Sequence, residues 1–203
     1  VDAAVLIPIK AFTAAKGRLV PVLSPSERER LARWTAARVL AAAGELPVFV
    51  ACDSSDVAEW ATAHGAEVLW EEGQGLNGAV DHAVATLAAA GHQHVTVVHS
   101  DLPLPEPLRL FATPRRVVLV PDRRLDGTNL MSFPLAAPLP ASYGAGSFRR
   151  HLGAALASGV GVEVVRDRFM ALDIDHPSDL THPLVKDVLP AWLRTNPANP
   201  PAP

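Results

Sequence analysis

Short apolar runs rich in β-branched residues recur along the chain at Val5 to Ile9, Val48 to Ala51, Glu67 to Trp70, His94 to His99 and Arg116 to Val120. Each is long enough for a strand and too short for a helix. Between the first four lie stretches of helical length and pattern, roughly 24 to 43, 54 to 64 and 77 to 90. This alternation predicts βαβ units and an α/β fold, with a mostly parallel central sheet and helices on both faces. Local signals agree. Ser24 stands as a helix N-cap, Pro25 takes the first helical position and Glu27 completes a capping box. Gly44, Gly65 and Gly91 fall where left-handed residues close helices.

After Val120 the rhythm changes. Gly127 to Phe133 reads as a strand, Ser147 to Ser158 as a helix, and Val160 to Arg166 and Phe169 to Ile174 as two further strands. They are expected to add antiparallel strands at the sheet edge and to cover the active face. Residues 1–195 read as one domain. Asn196 to Pro203, with four prolines in eight residues, is expected to be a disordered tail.

Composition narrows the function class. The 203 residues carry 18 basic and 21 acidic side chains spread along the chain, for a net charge of −3. No basic block or stripe suggests a polynucleotide surface. The single cysteine, Cys52, has no internal disulfide partner and no nucleophile motif around it, and reads as a buried filler in a reducing compartment. The apolar opening segment Ala3 to Ile9 is too short to span a bilayer and lacks the pattern of a signal peptide. A cytoplasmic enzyme without membrane or nucleic-acid partners is the expectation.

Two acidic segments carry the strongest chemical signal: Val97-Val98-His99-Ser100-Asp101-Leu102-Pro103 and Met170-Ala171-Leu172-Asp173-Ile174-Asp175-His176-Pro177. Each puts carboxylates where an apolar run stops and a proline forbids further ladder pairing. In an open α/β sheet such positions lie along the carboxyl edge, where ligands bind. Carboxylates gathered there suit Mg2+, a hard cation that prefers oxygen ligands and substrate phosphates. His99 inside its apolar run reads as a core histidine rather than a ligand.

The remaining candidates are loops. Pro8 to Leu19 carries Lys10, Lys16 and Arg18 after the first strand, placed either to meet a triphosphate or simply to be solvated. It is neither a P-loop nor a dinucleotide fingerprint. Gly73-Gln74-Gly75-Leu76-Asn77-Gly78 precedes a helix, so Gly75 permits close ligand approach and Asn77 serves as a base contact, an N-cap or both. Thr128 and Asn129 follow Gly127 and offer a hydroxyl and an amide to an anion, although turn chemistry predicts the same residues. Tyr143-Gly144-Ala145-Gly146-Ser147-Phe148 opens a helix whose free amide groups and Ser147 could form an anion site, or Ser147 could only cap it. His151 lies one turn further on the same face, placed either to touch substrate or merely to pack.

Taken in order, Ile7-Pro8-Ile9-Lys10 with Lys16-x-Arg18-Leu19, Gly75-Leu76-Asn77, Asp101-Leu102-Pro103, Gly127-Thr128-Asn129, Tyr143-Gly144-x-Gly146-Ser147-Phe148 with His151, and Leu172-Asp173-Ile174-Asp175-x-Pro177-x-Asp179-Leu180 resemble the CofC/FbiD family. These are the phosphoenolpyruvate or 2-phospho-L-lactate guanylyltransferases of coenzyme F-420 biosynthesis. The resemblance implies a MobA-like nucleotidyltransferase fold of the glycosyltransferase-A-like kind. It implies transfer of GMP from GTP to a phosphorylated three-carbon acid, with Mg2+ as cofactor and a downstream transferase that accepts the product. The family's acceptor-binding Thr, Gly and Ser fall on Thr128, Gly144 and Ser147. Its metal-binding carboxylates fall on Asp101 and on Asp173 or Asp175. Two rivals stand beside it: a related transferase with another donor or acceptor, and a non-catalytic nucleotide-binding protein.

Overall fold

The computed structural model describes residues 3–194. The expected tail at Asn196 to Pro203 lies outside the described residues. Seven strands form one sheet: β1 (Ala3–Pro8), β2 (Val48–Cys52), β3 (Glu67–Trp70), β4 (His94–Val98), β5 (Arg116–Pro121), β6 (Thr128–Pro134) and β7 (Gly161–Val164). Their order is β3-β2-β1-β4-β6-β5-β7. Four main helices connect them: α1 (Pro25–Ala42), α2 (Ser55–Ala63), α3 (Gly75–Ala89) and α4 (Ser147–Ala157). The short helices α5 (Pro177–Leu180), α6 (Pro183–Lys186) and α7 (Ala191–Arg194) follow.

The sheet forms two hydrophobic layers because strand side chains alternate faces. On β1, Val5 and Ile7 pack with Ala36 and Val39 of α1 and Val57 and Ala61 of α2. Ala4 and Leu6 face the other way, toward Val80, Ala83 and Leu87 of α3 and Ala155 of α4. A third cluster joins Leu31 of α1 to Leu172, Ile174, Leu180, Val185 and Leu193, which fastens the final helices over the first. At α1 the capping box forms as expected: Ser24 Oγ accepts from the Glu27 amide, and the Glu27 carboxylate accepts from the Ser24 amide at 2.8 Å.

β1 to β4 are mutually parallel where they pair. The added strands differ from expectation. The one reversed strand, β6, lies inside the sheet and is antiparallel to both β4 and β5. A tight turn at residues 122–127 folds it straight back on β5. Asp122 Oδ1 accepts the amides of Arg124 and Asp126, each at 3.0 Å. A Cβ on Gly127 would stand 2.9 Å from Asp122 Oδ2, so a residue without a side chain closes this turn. The edge strand β7 is parallel to β5, not antiparallel.

Phe169 to Ile174 is not a strand. Asp167 Oδ1 takes the amides of Phe169 and Met170, both at 2.8 Å, and Leu172 bonds back to the Phe169 carbonyl. A short side chain thus offers the backbone local partners that compete with a ladder. Isolated bonds tie the segment down instead, from the Arg123 amide to the Ala171 carbonyl and from the Ile174 amide to the Asp101 carbonyl. The second acidic segment is therefore a loop laid against the carboxyl end of β4.

Candidate active site

The carboxyl edge of β1, β2, β3 and β4 is lined by adjoining cavities. The first, of about 400 Å³, lies beyond β2 and β3 and is walled by Pro8, Ala51, Cys52, Asp53, Glu71 and Gly75. The second, of about 220 Å³, shares Pro8, Lys10 and Leu76 with it and adds Lys16, His99 and Asp101. The third, of about 430 Å³, shares His99, Asp101 and Asp175 with the second and adds Thr128, Ser147 and Asp173. The topology builds this row, since parallel strands bring their carboxyl ends and following loops to one edge.

At the junction of the second and third cavities, one oxygen from each of Asp101, Asp173 and Asp175 lies within 4.8 Å of the others. Lys16 reaches into this cluster. Its ammonium group donates to Asp101 Oδ2 at 3.1 Å and to the Ile174 carbonyl at 2.6 Å, and stands 3.8 Å from Asp175 Oδ1. Only 6% of the Lys16 side chain is exposed. The residue has φ +58, a left-handed conformation uncommon for a side-chain-bearing residue. Arg18, largely exposed, donates to Asp175 Oδ2 at 3.0 Å. Two of the three expected cations of the first loop are thus engaged with carboxylates, and Lys10 stands exposed at the wall between the first two cavities.

Electrostatics set Asp101 and Asp173 apart. Burial opposes ionisation of Asp101, but the charge of Lys16, with His99 and hydrogen bonds from Lys16 and its own amide, outweighs burial and holds the carboxyl below its ordinary value. Asp173 is pushed up to about 7, by burial first and then by the negative charges of Asp101 and Asp175. Burial also lowers His99, against the opposing pull of Asp101 and Asp175.

Asp101 Oδ1 and His99 Nε2 are buried without a hydrogen-bond partner among the described residues. A buried carboxylate oxygen with nothing to balance it is costly. With an all-oxygen donor set around it, the cluster fits a hard divalent cation rather than zinc.

The third cavity contains a polar relay. Thr128 and His151 are buried. His151 Nε2 accepts the Ser142 amide at 2.9 Å, so in the neutral ring the proton sits on Nδ1, 2.9 Å from Thr128 Oγ1. Burial first, then Arg150 and His99, lower His151 to about 4, which keeps the ring neutral at pH 7. Ser147 Oγ also donates to Thr128 Oγ1, at 3.4 Å. With two donors directed at its oxygen, the Thr128 hydroxyl has its own proton to give to a ligand.

The loop opposite is braced from two helices. Asn77 in α3 holds Tyr143 through both backbone groups, with its Oδ1 accepting the amide at 2.7 Å and its Nδ2 donating to the carbonyl at 3.4 Å. Arg150 in α4 donates to the carbonyls of Ser142 and Ala145 at 2.7 and 2.6 Å. Gly144, at φ +114, makes the bend in between.

Several expectations change here. α3 starts at Gly75 with Gln74 before it, so Asn77 lies inside the first turn and is not its cap. Gly146 at φ +71 precedes α4, which makes Ser147 its first helical residue instead of its N-cap. The expected cluster of free amides there is largely filled: Asp126 accepts from Gly146 through Oδ1 and from Phe148 through its carbonyl, and Ser147 bonds to the Gly144 carbonyl. Asn129 lines the third cavity, but its amide donates to the Met170 carbonyl at 2.9 Å. His99, read from the sequence as a core residue, instead borders both the second and third cavities with its ring 4.7 Å from that of Tyr143. Its place one residue beyond β4 was the available signal. Glu71, directly after β3, went unrecognised by sequence reasoning for want of a recognisable motif around it.

Comparison with known proteins gives concordant results. The family model described as guanylyl transferase CofC like matches residues 3–187. The phosphoenolpyruvate guanylyltransferase of Rubrobacter xylanophilus is 36% identical over 184 residues, covering 86% of this chain and 90% of the relative. The 2-phospho-L-lactate guanylyltransferase of Methanothermobacter thermautotrophicus is 34% identical over 186 residues, covering 86% and 81%. A Desulfovibrio desulfuricans structure ascribed to the nucleotide-diphospho-sugar transferases superposes with a TM-score of 0.76 at 16% identity, covering 98% of this chain and 92% of that one. A Methanothermobacter nucleotidyl transferase does so with a TM-score of 0.62 at 16% identity, covering 88% and 94%. At these identities the solved structures establish the fold, which is that of nucleotidyltransferases.

Proposed function

The chain belongs to the guanylyl transferase CofC like family, and from that premise we propose that it transfers GMP from GTP to phosphoenolpyruvate, releasing pyrophosphate. The observation that carries this reading is the row of cavities: an acid cluster with an inserted lysine lies between a largely apolar cavity and one where Arg18, Arg124 and the Thr128 hydroxyl stand among acids. That order suits a base, a triphosphate and a phosphorylated acid placed end to end. Phosphoenolpyruvate is preferred as acceptor because the relatives from Rubrobacter and Chloroflexus carry that substrate in their names. The name of the Methanothermobacter relative favours 2-phospho-L-lactate as the second reading.

An acceptor phosphate oxygen, already ionised at neutral pH, forms a bond to the α-phosphorus of GTP while the bond from that phosphorus to the β-phosphate oxygen breaks. No general base is needed for so acidic a nucleophile. The Thr128 hydroxyl, with its proton directed outward by His151 and Ser147, donates to the acceptor's anionic oxygens, and the braced turn at Gly144 closes over it. Lys10 offsets charge on the departing pyrophosphate. Asp101, Asp173 and Asp175 would hold Mg2+, whose chemistry is to offset negative charge on the reacting phosphates. Catalysis on this account is positioning and electrostatics. The product is a mixed phosphoanhydride prone to hydrolysis, so a downstream transferase belongs to the same proposal, as does a cytoplasmic setting.

The test is pyrophosphate release from GTP and Mg2+ with phosphoenolpyruvate or 2-phospho-L-lactate, and the nucleotide product identified by mass. Acceptor-dependent release with GTP supports the reading. Release only with CTP, or with a sugar phosphate as acceptor, would replace it.

A further inference from the structure

We infer that Glu71, held by His82, is the residue that reads the hydrogen-bonding edge of guanine, an inference that rests on the guanylyl-transfer reading above. The first cavity is a ligand-sized space whose walls Pro8, Ala51, Cys52 and Leu76 are apolar. Because it shares Pro8, Lys10 and Leu76 with the second cavity, a base bound there has its phosphates beside Lys10 and the acid cluster. Two carboxylates face the space. Asp53 is exposed, whereas the Glu71 side chain is only 3% exposed. An acid so buried is rarely found without partners.

Glu71 is only half provided for. Its amide bonds to the Cys52 carbonyl at 2.9 Å, which fixes the backbone at the end of β3. Its Oε2 accepts from His82 Nδ1 at 2.7 Å, across from α3. Its Oε1 takes no hydrogen bond from the described residues and is not among the fully buried unpartnered atoms, so it is open to solvent or a ligand. A tie between strand and helix needs one oxygen, and the second is left to a ligand. An ionised carboxylate only accepts. Guanine presents adjacent N1–H and N2–H donors, one for the open Oε1 and one for the second lone pair of Oε2 that His82 leaves unused. Adenine presents an acceptor at N1 and no amine at C2, its one amine lying at C6 where guanine has a carbonyl, so in the guanine pose it sets acceptor against acceptor. Inosine keeps N1–H and lacks the amine.

His82, 63% exposed, does not enter the cavity and is a positioning residue: it fixes the carboxylate plane from the far side. The charge-assisted bond to the guanine amine is then worth roughly 10- to 100-fold in affinity.

The test is equilibrium titration of GTP, inosine triphosphate and ATP, with Mg2+ and no acceptor, into wild type, Glu71→Gln, Glu71→Met, His82→Ala and Asp53→Asn, each first checked by thermal melt. Wild type should prefer GTP to inosine triphosphate by roughly 10-fold or more and reject ATP more strongly. Glu71→Met, which keeps bulk and loses both acceptors, should bring the ratio of GTP to inosine triphosphate to about one. Glu71→Gln and His82→Ala should lower that ratio, which a purely structural tie would not change. Wild-type preference for the amine over inosine triphosphate needs no variant to fold, and its absence overturns the inference. So does an unchanged ratio in folded Glu71→Met, or loss of the ratio in Asp53→Asn instead. If wild type favours CTP or ATP over GTP, the guanylyl-transfer reading fails, and this assignment with it.

Discussion

Lys16 occupies the acid cluster in the way a bound cation would, and replacing it with methionine tests that role. The side chain is 6% exposed, and its ammonium group meets Asp101 at 3.1 Å and the Ile174 carbonyl at 2.6 Å. Breaking a buried ion pair by removing one partner costs about 3–5 kcal/mol, because a buried charge is left uncompensated. Here Asp101 is 19% and Asp175 38% exposed, so water softens the loss, to about 2–3 kcal/mol on the same scale. For a chain of this size that is roughly 4–12 °C in Tm. The lost charge can be restored from solution. A divalent ion at about 100 times its Kd returns about 2.7 kcal/mol, so Mg2+ should recover most of the deficit in Lys16→Met. Wild type should gain less, since its ammonium group already neutralises the cluster. The assay is calorimetric melting in EDTA and across a Mg2+ series, with direct Mn2+ titration. Lys16→Gly is the control, because it removes the charge and also relieves the φ of +58. It should be no more stable than Lys16→Met, because it also empties the space of a side chain only 6% exposed, and that loss of packing offsets about 1 kcal/mol of relieved strain. Coincident melts in EDTA, or equal metal stabilisation of wild type and Lys16→Met, would refute the argument.

Asp101→Asn should lower turnover by at least about 100-fold; it breaks the same ion pair, so its melt should fall about as far as that of Lys16→Met, and wild-type turnover in the folded variant would sink the assignment of Asp101 to the reacting phosphates. Thr128→Ala should raise KM for the acceptor roughly 10-fold with GTP binding unchanged. His151→Asn, which can still donate to Thr128, should lose less acceptor affinity than His151→Leu. Stability should fall with acid because His94 and His151, lowered to about 4 by burial, are neutral in the folded chain. Their contribution is complete above the unfolded value of about 6.5 and disappears as pH falls toward 4, since the unfolded state then binds the extra proton. Each accounts for at most about 3 kcal/mol across that window. Urea unfolding of wild type and His94→Gln between pH 7 and 4.5 should converge, and parallel curves would show that His94 is not the cause.

Much of the fold was legible because its evidence is local. The strand runs, the Ser24 capping box and the glycines after helices are contiguous, and each points to the same βαβ plan. The failure at Phe169 to Ile174 is equally physical. Its apolar spacing matches a strand, but Asp167 supplies hydrogen bonds to Phe169 and Met170 that ladder partners would otherwise supply. The position of β6 depends on which neighbours accept a hairpin folded back at residues 122–127, a choice that no single segment carries.

The site was legible in its parts and not in its connections. Asp101, Asp173 and Asp175 could be named from acids at the ends of apolar runs. That Lys16 would reach them could not, because its bonds span 85 and 158 positions of sequence. Asn77, Asn129 and Ser147 have the side chains that anion sites use, yet Asn77 and Asn129 are bonded to the backbones of Tyr143 and Met170, and Ser147 is directed at Thr128. Residue type identifies what a side chain can donate, and only the assembled structure decides to whom.

On the proposed acceptor site, phosphoenolpyruvate and 2-phospho-L-lactate would offer the same phosphate and carboxylate to the Thr128 hydroxyl and the Gly144 turn, so these groups cannot separate them. They differ only where a planar methylene carbon replaces a methyl group and a hydrogen-bearing centre. Discrimination must therefore come from shape, and the aromatic wall of the third cavity, Tyr143 and His99 at 4.7 Å and an interplanar angle of 51°, is the surface that can supply it. The two acceptors have the same number of carbons, so the 10- to 200-fold that about one methylene is worth in an apolar contact is a ceiling. The ratio of kcat/KM for the two acceptors should stay below about 200, and Tyr143→Leu should shift it while leaving GTP affinity unchanged. A ratio above about 10,000 would require a hydrogen bond made to one acceptor alone, and the search would then turn from this wall to a polar group.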